Sequence, residues 1–198
     1  MSNPNYTALL LINDVSGSMD DAYEPMEKVL HNMLEKQARK LAGYLTVDVG
    51  YFDDLAYQGE QDGDPMLIDI GLYASGGTNI YGPSLQLLNT FERRLNALPE
   101  NEQPGHKVVV WMTDGGSSER GNQPDMLRQK VKALKAEGDW DFAFLGSFKG
   151  AYAAVGVNMG LDRSESIDYH NSDKGREAMA DQLGTFISMA RSGERAHF

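Results

Sequence analysis

The chain has 198 residues, with 18 Lys plus Arg against 29 Asp plus Glu, a formal net charge of −11 and a pI near 4.7. With 41% apolar and 24% charged residues it has the balance of one globular domain with a single core, and its acidity excludes recognition of nucleic acid through a broad basic face. It contains no cysteine, so disulfides, thiolate metal sites and thiol catalysis are excluded.

The N-terminus lacks a basic leader, and its apolar run is too short for a secretion signal or a membrane span, so a cytoplasmic location is expected. That run, Ala8-Leu9-Leu10-Leu11-Ile12, reads as a strand buried on both faces. It leads directly into Asp14-Val15-Ser16-Gly17-Ser18, which places one carboxylate and two hydroxyls at the carboxyl end of a central strand. Ligands of open α/β sheets bind there, and hard oxygen donors suit magnesium, manganese or calcium.

Asp20 or Asp21 can cap a helix carrying Met26, Val29, Leu30, Met33, Leu34, Ala38 and Leu41 inward, with Gly43 as its stop. Leu45–Phe52 reads as the second strand, 53–64 as an acidic turn, and Met66–Ile70 as an antiparallel third strand at the sheet edge. Asp62-Gly63-Asp64 lacks the acidic spacing and closing glutamate of an EF-hand, so it reads as a solvated turn. The stretch Ala74-Ser75-Gly76-Gly77-Thr78-Asn79-Ile80-Tyr81-Gly82-Pro83 is a glycine-rich loop entering a helix, whose Leu85, Leu88, Phe91, Leu95 and Leu98 face the core.

The pattern then repeats. Val108–Met112 is a second buried run, and Thr113-Asp114-Gly115-Gly116 again sets a carboxylate at a strand end. Pro124 opens a helix with Met126, Leu127, Val131 and Leu134 inward. Trp140–Leu145 is a strand, 149–157 a short helix, and Ser166–Tyr169 a last weak strand. Ser172 caps a final helix burying Met179, Leu183, Phe186 and Ile187, and the polar tail after Arg191 is expected to fray. Alternating strands and helices predict a mostly parallel sheet with helices on both faces, in one domain spanning 1–198 with its core at about 5–190.

Asp14, Ser16 and Ser18, Thr78, and Asp114 thus sit on three loops that a doubly wound sheet can bring to one crevice. Two carboxylates balance a divalent cation, and hydroxyls add donors without further charge. His31, His106, His170 and His197 show no ligand spacing and read as surface or helix residues.

Asp14-x-Ser16-x-Ser18, Thr78 within Gly-Gly-Thr-Asn, and Thr113-Asp114-Gly115 together resemble the metal-ion-dependent adhesion site (MIDAS) of the von Willebrand factor A (vWA) family. The resemblance implies a three-layer, Rossmann-like α/β fold with a six-stranded sheet of order 3-2-1-4-5-6 and an antiparallel strand 3. It implies that Ser16, Ser18 and Thr78 hold a divalent cation, Mg2+ first and Mn2+ or Ca2+ next, while Asp14 and Asp114 act mostly through waters. The open coordination position would take an Asp or Glu carboxylate from a partner protein. Asn79, Tyr81, Ser117 and Glu119 are expected at the partner-binding rim, which should be less acidic than the remaining surface.

The resemblance extends to stand-alone intracellular bacterial forms, including tellurite-resistance-associated proteins. It implies a non-enzymatic binding module in a stress, metal-resistance or ATPase-chaperone system, with an AAA+ type ATPase as one partner and no nucleic acid or membrane among them. The rival is a magnesium phosphohydrolase of the haloacid dehalogenase kind with Asp14 as nucleophile. That chemistry needs a second acid two residues on, where this chain has Ser16, and no lysine or arginine stands in the three stretches.

Overall fold

The computed structural model describes residues 1–17, 23–40, 43–71, 76–117, 119 and 121–198. Ser18, the capping candidates Asp20 and Asp21, Leu41, Ala74 and Ser75 lie outside the described residues.

The strands are β1 (Asn3–Asp14), β2 (Tyr44–Phe52), β3 (Ala56–Gln58), β4 (Pro104–Thr113), β5 (Trp140–Gly146) and β6 (Ser166–Asp168). The α-helices are α1 (Tyr23–Lys40), α2 (Tyr81–Asn96), α3 (Gln123–Lys135) and α4 (Asp173–Arg191). One six-stranded sheet has the order β3-β2-β1-β4-β5-β6, parallel throughout except for the antiparallel β2–β3 pair. This is the order and sense expected.

Strand β1 is central, and Ala8 through Ile12 are wholly buried because both faces are covered. Side-chain alternation divides them between two layers. Leu9 and Leu11 meet Met26, Leu30, Leu34, Leu183 and Phe186 on the α1/α4 face. Leu10 and Ile12 meet Leu88, Phe91, Leu127 and Val131 on the α2/α3 face. The apolar stripes of the helices supply these contacts at helical spacing, and Leu87, buried in the second layer, joins the residues foreseen on α2. Ser172 accepts the Gly175 N–H as the expected cap of α4.

Four local readings are corrected. The edge strand is Ala56–Gln58, within the stretch read as a turn, and Met66–Ile70 is no strand. The chain reverses straight after Phe52 and runs back along β2, with backbone bonds continuing to the Val47–Gly63 bridge. Ile68 and Ile70 bury in the α1/α4 layer without joining the ladder. Met126 is 44% exposed, because the core face of α3 begins at Leu127. The tail is docked: Ala196 donates its N–H to Asp141, Phe198 donates to the Ser164 carbonyl, and the Phe198 ring stacks on Phe186 at 4.8 Å. The predicted helix at 149–157 is a π-helical turn at Tyr152–Gly156.

Strand register positions the site. Asn13 lies opposite Met112, so the carboxyl ends of β1 and β4 are level, and Asp14 stands beside Thr113. The chain leaves β1 for β2 on one side and β4 lies on the other, which opens a crevice above this pair.

Candidate metal centre

The first loop is built around Asp14, which is 1% exposed. Its Oδ1 accepts the Ser16 N–H at 2.9 Å, an Asx turn that curls the chain back over the strand end. Its Oδ2 accepts the Thr113 hydroxyl at 2.5 Å, a charge-assisted bond between neighbouring strands. Burial pushes the Asp14 carboxyl above the usual range, hydrogen bonds from Ser16 and Thr113 hold it down, and the charge of Asp114 pushes it up. Ser16 is buried beside it.

The second loop lies against the end of β2. Asn79 donates its N–H to the Asp53 carbonyl at 2.8 Å, and Gly77 donates to Asp54 Oδ2 at 3.1 Å. The approach needs glycine: a Cβ at Gly76 would lie 2.7 Å from Asp53 Oδ2, and Gly76 also has φ of 60°. Thr78 is half-buried in this loop. A Cβ at Gly17 would fall 3.9 Å from the Gly76 carbonyl, so the first two loops adjoin.

The third loop follows β4. Asp114 is half-buried, and its charge acts on Asp14 and on Tyr169. Ser117 and Glu119 turn toward α2: Ser117 Oγ accepts the Ile80 N–H, and Glu119 accepts those of Tyr81 and Gly82.

The structure therefore brings Asp14, Ser16 and the loops bearing Thr78 and Asp114 to one crevice, while Ser18 lies outside the described residues. Among the described residues no three His, Asp or Glu side chains converge as a ligand set. A cation here would need hydroxyls among its donors, and two carboxylates with Ser16 and Thr78 are a donor set that suits a hard dication. The mutually repelling charges of buried Asp14 and half-buried Asp114 are what such an ion would relieve.

The rim differs from the sequence reading. Tyr81 is only 4% exposed, packed in the α2/α3 layer with its hydroxyl accepting from Asn158, so its ring belongs to the core and not to an exposed rim. The Glu119 carboxylate is engaged by α2 on both oxygens. Asn79 and Ser117 remain beside the crevice. Asp53 and Asp54 adjoin the second loop, making the surround more acidic than expected.

Two residues were missed, and Thr113, quoted within the third motif stretch, was given no role of its own. Asp53 directly follows β2 and is 3% exposed. Tyr169, at the end of β6, is held to Ser147, and burial first, then the charges of Asp114 and Asp14, push its phenol far above the usual range. Concavities of 860 and 510 Å³, between α1 and α4 and at the amino ends of β4 and β5, include no residue of these three loops.

No family model matches the chain, and no curated protein matches it in sequence. Solved structures do match. Proximal thread matrix protein 1 from the mussel byssus superposes with a TM-score of 0.67 at 15% identity, over 92% of this chain and 46% of that one. A second structure of that protein, described as having a zinc-occupied MIDAS motif, gives 0.63 at 15% identity, over 92% of this chain and 46% of that one. The vWF domain of the type V pili tip protein Mfa5 from Porphyromonas gingivalis gives 0.61 at 11% identity, over 97% of both chains. The chain spans about half the length of the mussel protein. Its fold is that of a von Willebrand factor A domain. No helix among the described residues is long and apolar enough to cross a membrane.

Proposed function

We propose that this chain is a non-enzymatic protein-binding module. A divalent cation held by Asp14, Ser16, Ser18, Thr78 and Asp114 captures an Asp or Glu side chain of a partner protein. The observation that carries this reading is the Asp14 carboxylate, buried at the switch point of the sheet and tied through Thr113 to the strand that delivers Asp114. A carboxylate so buried is poorly placed to attack a substrate but well placed to orient hydroxyl donors around an ion. The zinc-occupied MIDAS of a protein with the same fold supports the assignment.

Magnesium is the first choice of ion because the donors are oxygens and few, leaving positions for water and a ligand. Asn79 and Ser117 form the rim that meets the partner. A cytoplasmic setting in a stress, metal-resistance or ATPase-chaperone system, with an AAA+ type ATPase as partner, rests on the likeness of the motif alone.

Calorimetric titration with Mg2+ and Mn2+ tests the site. Binding by the wild type and none by Thr78→Ala/Asp114→Ala is the expected result; equal binding by both would overturn it. A pull-down comparing wild type with Asp14→Ala, with and without chelator, then identifies metal-dependent partners. Magnesium-dependent phosphatase turnover abolished by Asp14→Asn would replace this reading with the phosphohydrolase.

A further inference from the structure

The start of α2 has no cap of its own. Its N-cap residue is Ile80, no side chain of the first turn accepts a hydrogen bond there, and the first turn contains no acid. Helix starts leave their first N–H groups without intrahelical partners. Here Pro83 has no N–H, and the other three groups all go to the third loop. Ile80 donates to Ser117 Oγ at 3.3 Å, Tyr81 to Glu119 Oε2 at 2.6 Å, and Gly82 to Glu119 Oε1 at 2.8 Å. Ser117 and Glu119 brace each other, the Glu119 N–H reaching Ser117 Oγ at 3.2 Å. A Cβ at Gly82 would lie 2.6 Å from Glu119 Oε1, so a side chain there would shift the carboxylate from this seat.

An ordinary cap comes from the residue next to the helix and secures only that helix. This one arrives from 37 and 38 residues away. It therefore joins two loops, and they are the two that carry Thr78 and Asp114. Thr78 precedes the capped Ile80 by two positions, and Asp114 precedes Ser117 by three. On the other side of Thr78, the Asn79 N–H is fixed to the Asp53 carbonyl at 2.8 Å.

We propose that Glu119 is a positioning residue of the metal centre: its carboxylate clasps the start of α2 and sets the distance between Thr78 and Asp114. The inference rests on the metal-binding reading above. It gives Glu119 a role other than partner contact or metal ligand. Both of its oxygens are engaged, and the positive end of α2 compensates its charge. Groups that orient ligands in this way typically alter metal affinity by about 10- to 100-fold when removed.

The test uses Mn2+, whose free ion is counted by electron paramagnetic resonance, on wild type, Asp114→Ala, Glu119→Gln and Glu119→Ala. Each is measured at a temperature where near-ultraviolet circular dichroism shows it folded. Amide exchange at Tyr81 and Gly82 is followed on the metal-free proteins. Lys130→Ala is the control, because it breaks the Lys130–Glu92 pair that steadies α2 away from the clasp. We expect Glu119→Gln and Glu119→Ala to bind Mn2+ about tenfold or more weakly, with faster exchange at the two amides and unchanged affinity in Lys130→Ala. Wild-type affinity in folded Glu119→Ala, with Asp114→Ala inactive, would overturn the clasp and leave the metal reading intact. Absence of binding by the wild type would overturn both.

Discussion

Replacing Asp14 by Asn should separate the energetic role of the carboxylate from its role toward a metal. The side chain is 1% exposed and makes two bonds, one from the Ser16 N–H and one from the Thr113 hydroxyl. Asparagine can keep both: its carbonyl accepts from Ser16, and its amide donates to Thr113 Oγ1. The Thr113 proton then turns to the Gly115 carbonyl, 3.3 Å away. What changes is the charge. Burying an ion costs several kcal/mol, and two charge-assisted bonds return about 1.5–3 kcal/mol each where neutral ones return about 1. The two effects nearly cancel, leaving the Asn variant about 1 kcal/mol more stable without metal, or about 2–4 °C in melting temperature for a domain of this size. Magnesium at a hundredfold its Kd should stabilise the wild type by about 2.7 kcal/mol, or roughly 8 °C, and the variant not at all. Thermal unfolding in chelator and in magnesium measures both. A variant that melts well below the wild type in chelator would show that the charge itself supports the fold. A magnesium shift that survives the substitution would remove Asp14 from the metal centre.

Other perturbations probe the scaffold. Arg94 grips buried Asp48 with two bonds, of 2.5 and 3.0 Å, so Arg94→Ala should cost about 3–5 kcal/mol in urea unfolding by stranding the carboxylate. Adding Asp48→Asn should return part of that loss. Phe198→Ala should cost about 1–2 kcal/mol and speed amide exchange at Ala196, because the stacked ring at 4.8 Å holds the tail. Asp141 is held above the usual carboxylate range, chiefly by burial. Its folded form keeps the proton longer than the unfolded form, so its contribution to stability is fullest below the ordinary aspartate pKa and is lost as pH rises through the folded value. Denaturant titrations over about pH 3–7 should show this slope flattened in Asp141→Asn, with stability at neutrality equal to or above wild type.

The legible features were those written in local pattern. Unbroken apolar runs marked β1 and β4, and the oxygen donors after them marked the crevice. Features made by chain reversal or long-range contact were not legible. Met66-Leu67-Ile68-Asp69-Ile70 is rich in strand formers, yet Ile68 and Ile70 are buried by packing under the sheet, without ladder bonds. Ala56-Tyr57-Gln58 has little strand character, yet pairs because the chain folds back against the free edge of β2. The tail looked polar because two residues, Ala196 and Phe198, anchor it, and two residues make no period. Glu119 read as a rim residue because its partners lie at the start of α2, 37 and 38 residues away in the chain.

A site proposed to capture acids in an acidic protein must overcome that protein's own field. The net charge is −11, and Asp53, Asp54 and Glu119 lie around the crevice in addition to Asp14 and Asp114. Their oxygens accept from Leu55, Tyr57, Gly77, Tyr81 and Gly82; the helix start of α2 offsets part of the Glu119 charge, while the bonds to Asp53 and Asp54 fix those side chains without neutralising them. Without a cation the crevice repels a carboxylate; with one, attraction exists only at contact distance, inside a longer-range repulsion. Salt screens the outer field over about 8–10 Å and a coordinated ion pair much less. At saturating magnesium, added salt should therefore leave the affinity for an acidic peptide unchanged or raise it, mainly through a faster on-rate. Surface plasmon resonance at several salt concentrations measures this. A steep fall in on-rate with salt would mean that basic side chains steer the partner, and that the ion is not the principal attraction.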